Sequence, residues 1–246
     1  MPTPNKDLLT RILGFFGEIL ITIGAIVLLF LAWQLWINNE VIAVQQKAAT
    51  EELSQSWRDS SESSPTPKPG EDFGPAPVAE PVGDGVKFAT IYIPRLGPDS
   101  GRTIANSVDP ATVLNRGMYG HYPDTNWPGQ NGNFALAVHR TSWGSPFADV
   151  VKLAAGDPIY VETEEGYYTY TFRNYEFVLP TAVSVLQPIP GTNAAPVEQS
   201  LITITTCNPL MGDAERLISY GVLTSWRPRS AGAPEGLTKY LETGKN

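Results

Sequence analysis

The strongest constraint on this chain of 246 residues lies near its start. Residues Ile19 to Ile37 read ILITIGAIVLLFLAWQLWI, with no Asp, Glu, Lys or Arg. As a helix this run reaches roughly 28 Å, about one bilayer hydrocarbon core. Inside lipid a single segment can satisfy its own backbone hydrogen bonds only as a helix. The apolar character extends back to Ile12 with one charge, Glu18. The run is long for the apolar core of a cleavable signal, and no small-x-small cleavage site follows it. Residues 12–37 are therefore read as a transmembrane helix, with Trp33 and Trp36 at the level of an interfacial aromatic belt. Lys6 and Arg11 precede it, while Asn38, Asn39 and Glu40 follow. The positive-inside rule then puts residues 1–11 in the cytoplasm and the rest of a single-pass membrane protein outside.

The remainder divides by composition. Glu40 to Arg58 can continue as a polar helix, and Ser60 to Pro81 carries six prolines among Ser, Glu and Gly. Such a stretch cannot bury a core and behaves as a semi-extended spacer. Residues 38–85 are read as an extracytoplasmic stalk and linker, 86–228 as one folded domain, and 229–246 as a C-terminal tail. Acidic residues outnumber basic ones 25 to 17, a net charge of −8, which argues against nucleic-acid binding because phosphate contacts need a basic face.

The folded domain reads as all-β. Strand-like runs separated by Gly and Pro fall at Lys87–Ile93, Thr103–Ala105, Asn133–His139, Pro158–Thr163, Tyr167–Leu179, Leu201–Cys207 and Leu217–Trp226. The alternation of Tyr168, Tyr170 and Phe172 slips at Arg173–Asn174, which predicts a bulge or a turn splitting that run. Long amphipathic helices are scarce, and many short strands point to a closed barrel or a sandwich.

Cys207 is the chain's single cysteine and ends the run LITITT, immediately before Asn208-Pro209. One thiol forms no internal disulfide and no multi-Cys zinc site, and two histidines make no His-rich metal centre. Pro209 cannot donate to a sheet ladder, so the strand stops there and leaves the thiol at the sheet's rim. A free cysteine is most often a small buried hydrophobe. Outside a membrane, however, a lone thiol invites mispairing and needs a reason to be there. His139 ends another apolar strand, FALAV, and suits the rigid acid/base partner a thiol nucleophile needs. Its bland alternative is a hydrogen-bonded rim histidine. Arg216 opens the strand after NPLMGDAE, and antiparallel pairing would return it to Cys207. There its fixed charge could stabilise an oxyanion, or it could simply pair with Asp213 or Glu215.

Taken together, TTC with an Arg nine residues on, an upstream strand ending in His-Arg, and an N-terminal anchor with spacer resemble a sortase. The carrying stretches are Gly120–Phe147 and Leu201–Val222, and their flavour is most similar to the class E, actinobacterial housekeeping type. This resemblance implies a closed eight-stranded sortase-type β-barrel with short helices. It implies Cys207 as nucleophile, His139 as acid/base and Arg216 as oxyanion or substrate-orienting group. Thr205 and Thr206 would line the peptide groove. Tyr119 and His121 would sit in a loop that helps define the substrate pocket, and Thr181–Pro196 would be a variable loop beside it. The implied reaction cleaves an LPXTG- or LAXTG-like sorting signal between Thr and Gly and joins the surface protein to a peptidoglycan-precursor amine. No metal or organic cofactor is implied.

Two departures bear on this reading. Ala137-Val138 precedes the histidine where many relatives carry Ala-Gly, and no Asp-Pro-Trp lid of the pilin-polymerising type occurs, its nearest echo being Glu71-Asp72-Phe73. Glu162, Glu164 and Glu165 could hold calcium but read better as solvated turn carboxylates. The alternatives are a pilin-polymerising sortase, or a non-catalytic membrane-tethered barrel that binds peptide. An L,D-transpeptidase-like enzyme fits poorly, because Cys207 is flanked by Thr206 and Asn208 rather than by His-Gly.

Overall fold

The computed structural model describes residues 6–33, 37–60, 73–194 and 198–243. Most of the Pro-rich spacer, with Glu71 and Asp72, lies outside the described residues, as do Trp36 and Pro196.

The first helix, α1, spans Lys6–Ala32. Its segment Thr10–Ala32 has a mean hydropathy of 2.5 and no part of its most apolar window buried, so it is long and apolar enough to cross a membrane. A second helix, α2, spans Asn38–Ser60, inside the segment read as stalk. It lies on the barrel. Ile42, Gln46, Thr50, Ser54 and Trp57 are its buried residues, and their spacing of three and four puts them on one face. The other face carries Glu51, Glu52 and Gln55.

The strands are β1 (Lys87–Tyr92), β2 (Arg102–Ala105), β3 (Tyr119–His121), β4 (Gly132–Ala137), β5 (Pro158–Glu162), β6 (Gly166–Val178), β7 (Ser200–Asn208) and β8 (Glu215–Pro228). They close into a barrel in the order β1-β2-β3-β4-β7-β8-β6-β5. Two pairs are parallel, β2 with β3 and β4 with β7, and the rest are antiparallel. Closure leaves no open sheet edge. Side chains alternating inward from the strands, among them Phe134, Leu136, Tyr170, Ile202 and Ile204, fill the interior.

Three features differ from the sequence reading. The slip at Arg173–Asn174 is a bulge inside one continuous β6, because β8 stays paired with the strand on both sides of it. Tyr119–His121, expected in a loop, is strand β3, held between β2 and β4. Glu162 is not solvated: it is 1 % exposed and pairs with buried Arg229 at 2.9 Å. Ser54 of α2, Thr90 and Tyr92 of β1 also donate to its carboxylate. These donors satisfy a carboxylate that would otherwise be costly to bury. Among the described residues no group of three His, Cys, Asp or Glu side chains is placed to hold a metal ion.

The described end of the spacer also lies on the barrel, with Ala79 N donating to Pro128 O and Tyr168 Oη donating to Pro77 O. Arg227 stacks over Phe73 at 5.2 Å. Near the C-terminus, helix α3 (Glu235–Thr243) packs Leu237 and Tyr240 on Tyr92, Tyr160 and Tyr167.

Candidate active site

Cys207 sits one residue before the end of β7. Strand β7 stops at Asn208, and Pro209 follows with no N–H to offer the ladder. Antiparallel pairing sets Cys207 directly opposite Arg216 of β8 and Thr205 opposite Ile218. Cross-strand partners point to the same face. Cys207 and Arg216 therefore project together on the outside of the barrel, while Thr206 and Leu217, one residue out of phase, point inward and are buried.

Strand β4 supplies the histidine. Its register with β7 is parallel, ending at Ala137 with Thr205, and Val138 N donates to Thr205 O at 3.0 Å. Thr206 Oγ1 donates to Val138 O at 2.8 Å, so its hydroxyl clamps the chain just before His139. Continuing this register runs the His139 backbone alongside Cys207, at the roughly 4.8 Å spacing of neighbouring strands. His139 itself lies two residues beyond the strand end and is half-buried. Its Nε2 meets Asn115 Oδ1 at 2.9 Å. A carbonyl oxygen accepts only, so Nε2 carries the proton and Nδ1 keeps the free lone pair. Burial lowers the proton affinity of His139 below the ordinary imidazole range.

Arg216 Nη1 donates to Asp213 O at 2.8 Å and to Glu215 O at 3.0 Å. The guanidinium therefore rests on the β7–β8 turn, bonded to the backbone of the two residues expected as its ion-pair partners. Arg140, which sequence reasoning had noted only as the partner of His139 in a dipeptide, is nearly buried and links the two strand ends. Its Nη1 reaches Asn208 Oδ1 and, at 3.5 Å, Cys207 O. Asn208 Nδ2 in turn donates to Glu215 Oε2 at 2.7 Å. A chain of polar contacts thus ties the ends of β4, β7 and β8 together beside the thiol.

Of the residues expected on the substrate side, Thr205 faces the outside of the barrel and Thr206 faces inward. Tyr119 and His121 are fully buried in β3. His121 pairs with Leu136 and points into the core, its Nδ1 donating to Asn106 Oδ1 and its Nε2 lying against Thr125 Oγ1 and Asn126 O. Tyr122, next along, alternates to the outer face, and its hydroxyl meets Thr205 Oγ1 at 3.0 Å. Sequence reasoning missed Tyr122 because a segment read as loop has no inside-outside phase. Two-residue periodicity through Tyr119 and His121 was the available signal.

A thiol, an imidazole and a guanidinium thus lie at the ends of three adjacent barrel strands. Comparison with known proteins shows the family. A sortase domain family model matches residues 91–224. Sortase SrtE1 of Streptomyces coelicolor is 37 % identical over 227 residues, which is 90 % of this chain and 60 % of that protein. The chain thus spans less than two thirds of the length of that curated relative. The structure of S. coelicolor sortase E1 with a tripeptide in its active site matches at a TM-score of 0.58 and 39 % identity, covering 62 % of this chain and 97 % of that one. SrtA sortase from Actinomyces oris matches at a TM-score of 0.63 and 31 % identity, covering 67 % and 94 %. The chain belongs to the sortase family, and its likeness to Sortase SrtE1 and to the sortase E1 structure supports class E.

Proposed function

We propose that this chain is a membrane-anchored cysteine transpeptidase with Cys207 as nucleophile, His139 as acid/base and Arg216 as oxyanion-stabilising group. The observation that carries this reading is the register pairing of Cys207 with Arg216 beside the strand that delivers His139. A peptide bearing an LPXTG- or LAXTG-like sorting signal lies on the outer face of β4, β7 and β8, with Thr205 along its path. His139 starts neutral at pH 7, so Nδ1 can take the thiol proton as sulfur attacks the Thr carbonyl carbon. The carbonyl oxygen becomes an oxyanion, and Arg216 swings from the turn carbonyls to stabilise it. Collapse breaks the Thr–Gly C–N bond, and His139 returns the proton to the leaving Gly amine. What remains is a thioester on Cys207. An amine of a peptidoglycan precursor then attacks that carbonyl and gives its proton to His139. The new amide forms and the thiol leaves reprotonated.

Helix α1 fits a membrane anchor with residues 1–11 cytoplasmic and the barrel outside, where sorting-signal proteins and wall precursors meet. Incubating the full chain with a sorting-signal peptide and no amine should give an acyl-enzyme whose mass increment, on Cys207, equals the peptide up to Thr. Cys207→Ala should lose both adduct and cleavage while keeping the barrel's circular dichroism. Cleavage surviving in Cys207→Ala would overturn the reading.

A further inference from the structure

The half of α2 nearest the membrane span touches both loops that support His139. Asn39, Ile42 and Gln46 are spaced three and four apart and share a face. Asn39 Oδ1 accepts the N–H of Gly144 at 3.1 Å. Gly144 belongs to the loop that leaves His139, in which Ser142, Trp143 and Ser145 all have positive φ, at 63°, 50° and 43°. Non-glycine residues enter that region against a Cβ clash, so the loop depends on contacts outside itself to keep its shape.

Gln46 makes the second link and is only 5 % exposed. Its Nε2 donates to Arg116 O at 2.8 Å, and its Oε1 accepts from Thr103 Oγ1 at 2.9 Å. Arg116 follows Asn115, whose Oδ1 takes the Nε2 proton of His139. Two glycines allow the approach. A Cβ on Gly117 would lie 2.7 Å from Ile42 Cγ2, and one on Gly144 would lie 3.1 Å from the same atom. Both glycines have positive φ, at 76° and 83°.

We infer that α2 is a positioning element of the active site: through Asn39 and Gln46, the segment that follows the membrane span holds the loop that leaves His139 and the turn whose Asn115 accepts from its imidazole. The inference rests on the reading of His139 as the acid/base. The proposed path of the peptide runs over β4, β7 and β8, so loss of these contacts should slow turnover without weakening peptide binding.

The test uses the full-length chain in lipid nanodiscs, with a quenched sorting-signal peptide as substrate. Asn39→Leu and Gln46→Leu should each lower kcat about tenfold or more while KM stays within about twofold, since small misplacement of a catalytic group is costly. Asn39→Asp keeps the acceptor for Gly144 N–H and should recover turnover. Gln46→Glu keeps the acceptor for Thr103 but sets a carboxylate against Arg116 O, and should remain slow. Asn39 is only half-buried, so its variants report even if those at Gln46 do not fold. Wild-type kcat in folded Asn39→Leu, or equal loss in Asn39→Asp, would overturn the positioning role, while a dead His139→Ala in the same assay keeps the reading of the site. Turnover by His139→Ala would instead remove the reading on which the inference stands.

Discussion

At the scale of single residues, the two histidines of the chain have opposite environments. His139 is half-buried at a strand end, with one nitrogen tied to Asn115. His121 lies inside the barrel, its ring 4.7 Å from Trp127 and 5.3 Å from Phe134 between centroids. Burial pushes its pKa down to about 4. Above the unfolded imidazole value of about 6.5 the ring is neutral in both states and pH has no effect through it. Between 6.5 and 4 the unfolded chain takes up a proton that the folded chain refuses. Stability is therefore present above 6.5 and lost as pH falls, by up to about 3 kcal/mol from this one group. Urea unfolding at pH 7 and pH 4.5 should show a steeper acid loss in the native protein than in His121→Gln. Equal losses in the two proteins would count against an uncharged buried His121. The site's legibility at this scale is uneven. Cys207, His139 and Arg216 could be read because each ends or opens a strand whose pattern is plain. Tyr122 could not, because a three-residue strand shows its phase only once neighbours pair with it.

At the scale of elements, α2, β1, β5, β6 and the turn after β8 meet at the ion pair of Glu162 and Arg229. The guanidinium also reaches Glu164 O and Thr163 O, and stacks near Trp57 and Tyr167 at 5.3 Å each. Glu162→Ala would leave a buried, uncompensated cation and should cost about 3–5 kcal/mol, read as a lower midpoint in thermal or urea unfolding. Replacing both partners, as Glu162→Leu with Arg229→Met, should recover most of that loss, because the desolvation penalty leaves with the charges. Failure of the double variant to regain stability would show that the hydrogen bonds to Ser54, Thr90 and Tyr92 matter more than the charge balance. The sequence reading placed Glu162 in a solvated cluster with Glu164 and Glu165. Only Glu162 is buried: it shares the outer face of β5 with Tyr160, opposite the core residues Ile159 and Val161, and α2 covers it there.

At the scale of the whole molecule, a membrane-length helix is joined to a barrel through a helix that lies on the barrel rather than away from it. Two consequences can be measured. Chain from residue 38 onward, lacking α1, should move from the membrane to the soluble fraction, since the remaining surface carries no comparable apolar run. It should keep turnover close to that of the full chain, because α2 retains its contacts with the His139 loops. Chain from residue 73 onward should lose turnover even if the barrel folds.

The membrane-length helix, the all-β domain and the three residues proposed for the chemistry are legible without any tertiary contact. Those features rest on local patterns: an unbroken apolar run, two-residue alternation, and strand ends marked by proline or charge. Only the folded chain shows which side chains of β3 face inward, that α2 buries Glu162 on the outer face of β5, where Arg140 ties the strand ends, and that α2 lies against the loops of His139. These depend on partners 50 or more residues away, such as Gln46 with Arg116 and Ser54 with Glu162. A buried polar group looks the same in sequence as an exposed one. What separates them is whether the fold brings it a partner.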